Sequence, residues 1–197
     1  MSFRFKQLYG LAIICLTLGC SSSGEDPTRY YVIEPVAESE SDTLVNESLS
    51  IAVVNLEIPQ YLERFQIASR RSNNQLAFAK SHQWAENLRK NLSRTLARNL
   101  INILSTPDVS TPTNRSASVP DYWLTVFVER FERDADGYVR LVARWQLKDA
   151  TQITTRSSSY SSTTRVGTRA YDDTVDTLSR LFADLSDEIA QTILEQQ

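Results

Sequence analysis

Near the end of the chain, apolar residues recur every three or four positions: Tyr171, Val175, Leu178, Phe182, Leu185, Ile189 and Ile193. A helix turns once in about 3.6 residues, so this spacing gathers them on one stripe and predicts an amphipathic helix over 171–195. Asp172 and Asp173 stand at its start, where the helix dipole favours acid. A second stripe, Trp84, Leu88, Leu92, Leu96, Leu100 and Leu104, is joined by Ala85, Ala97, Ile101 and Ile103. It predicts a helix over 82–104 with Ser81 as its N-cap and Lys90, Arg94 and Arg98 toward solvent.

Elsewhere the period falls to two. A first strand is predicted over 30–33, stopped by Pro35 and followed by a polar, acidic stretch over 38–46. In 50–56, Ile51, Val53 and Asn55 alternate with Ala52, Val54 and Leu56; this two-sided apolarity predicts a central strand, ended by Pro59. Two short strands over 65–70 and 75–79 flank the turn residues Ser72, Asn73 and Asn74. In 121–132, Tyr122, Leu124, Val126 and Val128 share one face, and Trp123, Phe127 and Phe131 the other. In 138–148, Val139, Leu141, Ala143, Trp145 and Leu147 alternate with more polar positions. Asp134-Ala135-Asp136-Gly137 joins the two as a hairpin, with Gly137 suited to positive φ. The Ser- and Thr-rich segment 152–164 reads as a third, edge-like strand, and 105–120 as a long loop, mobile or functional. Strands, helix, strands, helix predicts one α+β domain over 30–197. It is a two-layer sandwich, a mainly antiparallel sheet with two long amphipathic helices on one face.

The N-terminal pattern is of another kind. Arg4 and Lys6 precede an apolar run over 8–18, too short for a bilayer crossing, which takes roughly 20 residues. That is the shape of a secretory signal over 1–19. It ends Leu16-Thr17-Leu18-Gly19-Cys20, which resembles the bacterial lipobox, although Thr17 and Leu18 stand where a Leu and a small residue are usual. Cys15 fits less well, since Ile14 before it is bulky. A lipobox implies diacylglyceryl and N-acyl lipid on Cys20, with 20–29 as tether. The plainer alternative is an ordinary secretory signal with Cys20 as a free thiol. Several acyl chains on one cysteine anchor stably where one chain does not. Ser21, in place of an Asp, directs such a protein to the outer membrane, facing the periplasm.

Composition narrows the function. The net charge is −3, and loss of 1–19 removes Arg4 and Lys6 but no acid. This balance, without a Lys/Arg run, argues against a nucleic-acid partner. After processing only Cys20 remains, so no disulfide framework is available. His82 is the single histidine, which argues against His/Cys metal sites and Cys–His pairs, and it lacks a GxSxG partner for a Ser–His pair. Five dispersed glycines leave no phosphate loop. Asp134 and Asp136 read as turn residues, and the Asn46-Glu47-Ser48 sequon is too short a pattern to carry weight. The chain reads as a non-enzyme with no cofactor beyond the covalent lipid.

One segment stands out: Ile58-Pro59-Gln60-Tyr61-Leu62-Glu63-Arg64-Phe65-Gln66-Ile67-Ala68-Ser69-Arg70, then Asn74, then Trp84-Ala85-Glu86-Asn87-Leu88. Over 30–104 it resembles the ABC-type transport auxiliary lipoproteins, the PqiC/YmbA-like proteins. Their pattern is I-P-x-Y-L-D-R-x-Q-I-x-x-R, a turn with Asn, and W-A-E-P-L opening a helix. Glu63, Phe65 and Asn87 replace the usual Asp, Pro and Pro. The resemblance implies an outer-membrane-tethered accessory component of systems built on MCE-domain proteins. Such systems carry phospholipids or other hydrophobic molecules between membranes, with an inner-membrane transport component as further partner and a homo-oligomeric ring as the assembly. The runner-up functions are outer-membrane assembly and stand-alone lipid binding.

Two readings of the motif stay open at this level. Pro59, Tyr61, Leu62 and Arg64 form a docking surface, since Tyr and apolar anchors favour interface cores. Otherwise Tyr61 and Leu62 support the first helix while Arg64 pairs with Glu86. Trp84 is a core residue or a lipid contact, and the 105–120 loop is a second interface candidate.

Overall fold

The structure, a computed structural model, describes residues 27–35, 46, 48–116, 119–151 and 153–196, without the side chains of 154 and 155. The signal segment, Cys20 and the acidic stretch over 38–45 fall outside them. The strands are β1 Arg29–Tyr31, β2 Ser50–Glu57, β3 Gln66–Ser72, β4 Gln75–Trp84, β5 Asp108–Ser110, β6 Tyr122–Asp134, β7 Tyr138–Lys148 and β8 Thr154–Arg165. The helices are α1 Leu88–Leu104 and α2 Tyr171–Leu194, and Gln60–Glu63 forms a 3₁₀ turn.

The expected hairpin at Gly137 organises the sheet. Gly137 takes φ +84°, β6 and β7 run antiparallel from Trp123–Lys148 to Arg133–Val139, and β8 continues the meander on the far side of β7. The other edge of β6 is shared. Its first half pairs in parallel with β2, and its last residues, Arg133 and Asp134, pair in parallel with Ser69 and Arg70 of β3. The eight-stranded sheet is therefore mixed: antiparallel through the meander and the β3–β4 hairpin, parallel where β2 meets β6.

Two bulges revise the predicted faces. Each adds one residue and reverses the side-chain alternation beyond it. Between Val53 and Asn55 the register shifts, so Leu56 joins Ile51 and Val53 in the core while Val54 is left 43% exposed. β2 is thus buried on one side, not two. Between Val128 and Arg130 the same happens, and Phe131 moves to the face of Leu124, Val126 and Val128, all buried.

That face carries both helices. Leu88, Leu92, Leu96 and Leu100 of α1 and Leu178, Phe182, Leu185, Ile189 and Ile193 of α2 are buried against it. Each fully buried side chain of this size contributes about 1.5–3 kcal/mol. Phe131 meets Phe182 edge-on at 6.2 Å, Trp145 donates to Glu188 at 3.2 Å, and Asn99 donates to Ser186 at 2.9 Å, joining the helices. The chain after β1 is held to α1 by Asn91, which accepts from the Ile33 amide at 2.7 Å and donates to its carbonyl at 3.0 Å.

α1 starts six residues later than the apolar stripe predicts. His82, Gln83 and Trp84 finish β4, paired in parallel with β1. Asn87, not Ser81, is the N-cap, accepting from the Lys90 amide at 3.1 Å. Trp84 is core, 3% exposed, but from a strand. The 105–120 segment is not wholly loop: Ser105 at φ 52° ends α1, and β5 adds a parallel strand beside β2.

Candidate functional site

The conspicuous segment straddles the edge of the sandwich: Leu62 enters the core, Glu63 reaches the start of α1, and Tyr61 reaches Glu132 on the sheet face that carries no helix. Its 3₁₀ turn sets Tyr61 over the end of β6, where Glu132 is fully buried yet ionisable. A carboxylate in such a place is costly unless several donors surround it. Glu132 accepts from the Tyr61 hydroxyl at 2.6 Å, Arg70 Nε at 2.9 Å, Arg130 Nε at 3.0 Å and the Phe131 amide at 3.0 Å. Burial alone raises its pKa, but these donors outweigh burial and hold it below the usual carboxylate value. Burial and the same carboxylate push the Tyr61 hydroxyl above the ordinary tyrosine range. Tyr61 and Arg70, two fixed points of the motif, thus converge on a residue of the other half of the chain.

The acidic position of the motif holds the start of α1. Glu63 accepts from Asn87 Nδ2 at 2.7 Å and pairs with Arg89 at 3.0 Å, so Asn87 caps the helix with one atom and binds the turn with the other. The expected Arg64–Glu86 pair is absent. Glu86 pairs with Arg94 instead, and the Arg64 guanidinium lies 4.5 Å from the centre of the Phe78 ring, a cation–π contact.

The four candidate docking residues therefore divide. Leu62 is 2% exposed and Tyr61 is spent on Glu132, so these two hold the turn in place. Pro59 is half-buried and Arg64 exposed, beside Phe65, which is 55% exposed. Sequence reasoning did not single out Phe65 as a contact or Glu132 as the anchor. Glu132 had a visible signal: an acid inside an apolar strand, between Arg130 and Arg133. The 105–120 candidate lines a groove of about 370 Å³ on the same face, where Pro112 and Arg115 approach Val54 and Trp123.

His82 accepts or donates at 2.8 Å with the Tyr31 hydroxyl, and its ring stacks on Tyr171 with centroids 4.1 Å apart. It is an aromatic strut between β4, β1 and α2. Asp134 takes the Tyr138 amide at 3.0 Å and Arg140 at 2.7 Å, as a turn residue does. Among the described residues, no group of three or more His, Cys, Asp or Glu is placed to hold a metal ion, and no helix is long and apolar enough to cross a membrane.

Known proteins place this arrangement in context. A family model described as "ABC-type transport auxiliary lipoprotein component" matches residues 31–190. A crystal structure of an uncharacterized protein superposes with a TM-score of 0.69 at 24% identity, covering 85% of this chain and 99% of that one. Protein XCC0632 from Xanthomonas campestris, of family DUF330, also gives 0.69, at 15% identity over 86% of this chain and 100% of that one. At these identities the likeness establishes the fold. No curated protein matches the chain.

Proposed function

The chain belongs to the ABC-type transport auxiliary lipoprotein family, and on that premise we propose that it is a non-catalytic adaptor of an MCE-type intermembrane lipid transport complex. In this reading lipid on Cys20 anchors it in the outer membrane, the domain faces the periplasm, and homo-oligomeric rings of it receive an MCE-domain protein. The observation that supports a docking role is the construction of the 3₁₀ turn. Its inner side is locked to the sheet through Tyr61 and Glu132, while Pro59, Arg64 and Phe65 face outward on a rigid base. A preorganised apolar and cationic patch loses little freedom on binding. The ring is supported by β8, which among the described residues pairs only with β7 and so leaves an edge for strand addition.

A lipid carried inside the domain is the weaker reading. The layer between sheet and helices is filled by Trp145, Phe131, Phe182 and the inward-facing leucines Leu92, Leu96, Leu100, Leu178 and Leu185, all essentially inaccessible.

The test is a pull-down of the lipidated chain from membranes. Wild type brings down an MCE-domain protein, Cys20→Ala is released from the membrane, and Arg64→Glu with Phe65→Ser stays anchored but loses the partner. If no MCE-domain protein accompanies the wild type, the adaptor reading fails. If Cys20→Ala remains anchored at wild-type levels, the tether fails.

A further inference from the structure

The chain is acidic overall, at a net charge of −3, yet one end of the sheet gathers arginines. Where β3, the β6–β7 hairpin and the start of α2 meet, an open pocket of about 200 Å³ is lined by Arg70, Arg71, Arg133, Arg169, Asp134 and Tyr171 among others. Some of these charges are already matched. Arg70 pairs with Glu132 at 2.9 Å and Asp134 with Arg140 at 2.7 Å. The acids in the first turn of α2 are engaged elsewhere: Asp172 faces Arg29 at 3.7 Å, and Asp173 accepts from the Thr168 hydroxyl.

Arg71, Arg133 and Arg169 remain. Among the described residues, none of the three forms an ion pair. Both Arg71 and Arg133 line the same pocket as Tyr171; burial pushes the Tyr171 hydroxyl up, and the charges of Arg133 and Arg71 pull the other way. Three like charges around one pocket repel one another, and an anion between them removes that repulsion. Guanidinium forks match the oxygens of a phosphate in pairs. A carboxylate offers two oxygens and satisfies one fork, whereas phosphate offers enough for several.

We infer that this pocket binds an oxyanion of the phosphate class, with Arg71, Arg133 and Arg169 as its ligands and the Tyr171 hydroxyl as a further donor. The inference goes beyond the adaptor role and does not rest on it. The same chemistry belongs to free phosphate and to the headgroup of a phospholipid, and the experiment separates them.

Full-length chain in a non-ionic detergent and phosphate-free buffer is titrated calorimetrically with inorganic phosphate, and separately with glycerophosphoglycerol, a deacylated phospholipid headgroup. Saturable binding of either supports the site, and the tighter of the two identifies the source. Arg71→Gln with Arg169→Gln, both exposed and so safe for folding, weakens binding by about tenfold or more, the loss expected for charge-assisted contacts. Binding also falls as salt rises. The assignment is overturned if neither probe binds saturably, if acetate binds as tightly as phosphate, or if the double variant binds like wild type.

Discussion

The Tyr61 hydroxyl donates to the buried Glu132 carboxylate at 2.6 Å, across 71 positions of sequence. This bond ties the motif segment to the meander. Hydrogen bonds to charged groups contribute about 1.5–3 kcal/mol, so Tyr61→Phe, which keeps the ring and loses the donor, is expected to cost about 2 kcal/mol. Urea unfolding would show a lower midpoint with an unchanged slope. An unchanged midpoint would mean that Glu132 is satisfied without Tyr61.

The same carboxylate makes the fold acid-sensitive. Its pKa is held below the ordinary 4.5 in the folded chain, so the unfolded chain takes up the proton first as pH falls. The stabilisation is complete above the ordinary value and is lost as pH drops through the folded one. Asp134, held low by Arg140 and the Tyr138 amide against burial, acts in the same direction. Stability measured from neutral pH down to about 3 is expected to fall less steeply in Glu132→Gln than in wild type. Parallel curves would remove Glu132 as a source.

Asn91 is the next test. It is 2% exposed and satisfies both backbone groups of Ile33, so Asn91→Ala leaves a buried amide unpaired. The expected cost is about 1–3 kcal/mol. Hydrogen exchange is the sharper readout: protection at the Ile33 amide should collapse while α2 stays protected. Uniform loss across the chain would show a general, not local, effect.

Gly137→Ala tests the hairpin. At φ +84° a side chain is strained, and an added Cβ would lie 3.3 Å from the Val166 carbonyl oxygen. A cost of about 1–2 kcal/mol is expected. Gly167→Ala is the control, because its added Cβ meets nothing within 4 Å. Equal melting temperatures for the two variants would contradict this account.

The sequence displayed α2, β6 and β7 because their burial is periodic over many residues, and β8 as a Ser- and Thr-rich edge beside them. The errors have local physical causes. Trp84 is buried in the same core as Leu88, so a strand end mimicked one more helical turn. The two bulges were invisible because alternation alone does not reveal an inserted residue, and Leu56 and Phe131 went to the wrong faces. Parallel pairings such as β2 with β6 depend on the crossover through α1, which no local pattern encodes. Half the candidate site was legible: the motif residues were found, but not that Tyr61 and Arg70 are turned inward on Glu132. That partner lies far along the chain, and spacing within a motif says nothing about it.

The parallel register of β1 with β4, Arg29 beside His82, Tyr30 beside Gln83 and Tyr31 beside Trp84, has a mechanical consequence. If Cys20 carries the proposed lipid, residues 20–28 reach at most about 30 Å, and the part of a membrane pull that runs along the strand axis loads Arg29. Tension in that direction must slide all three pairings together, with the Asn91 clamp behind them, instead of peeling them one at a time. A short strand so oriented resists such a pull far better than its length implies.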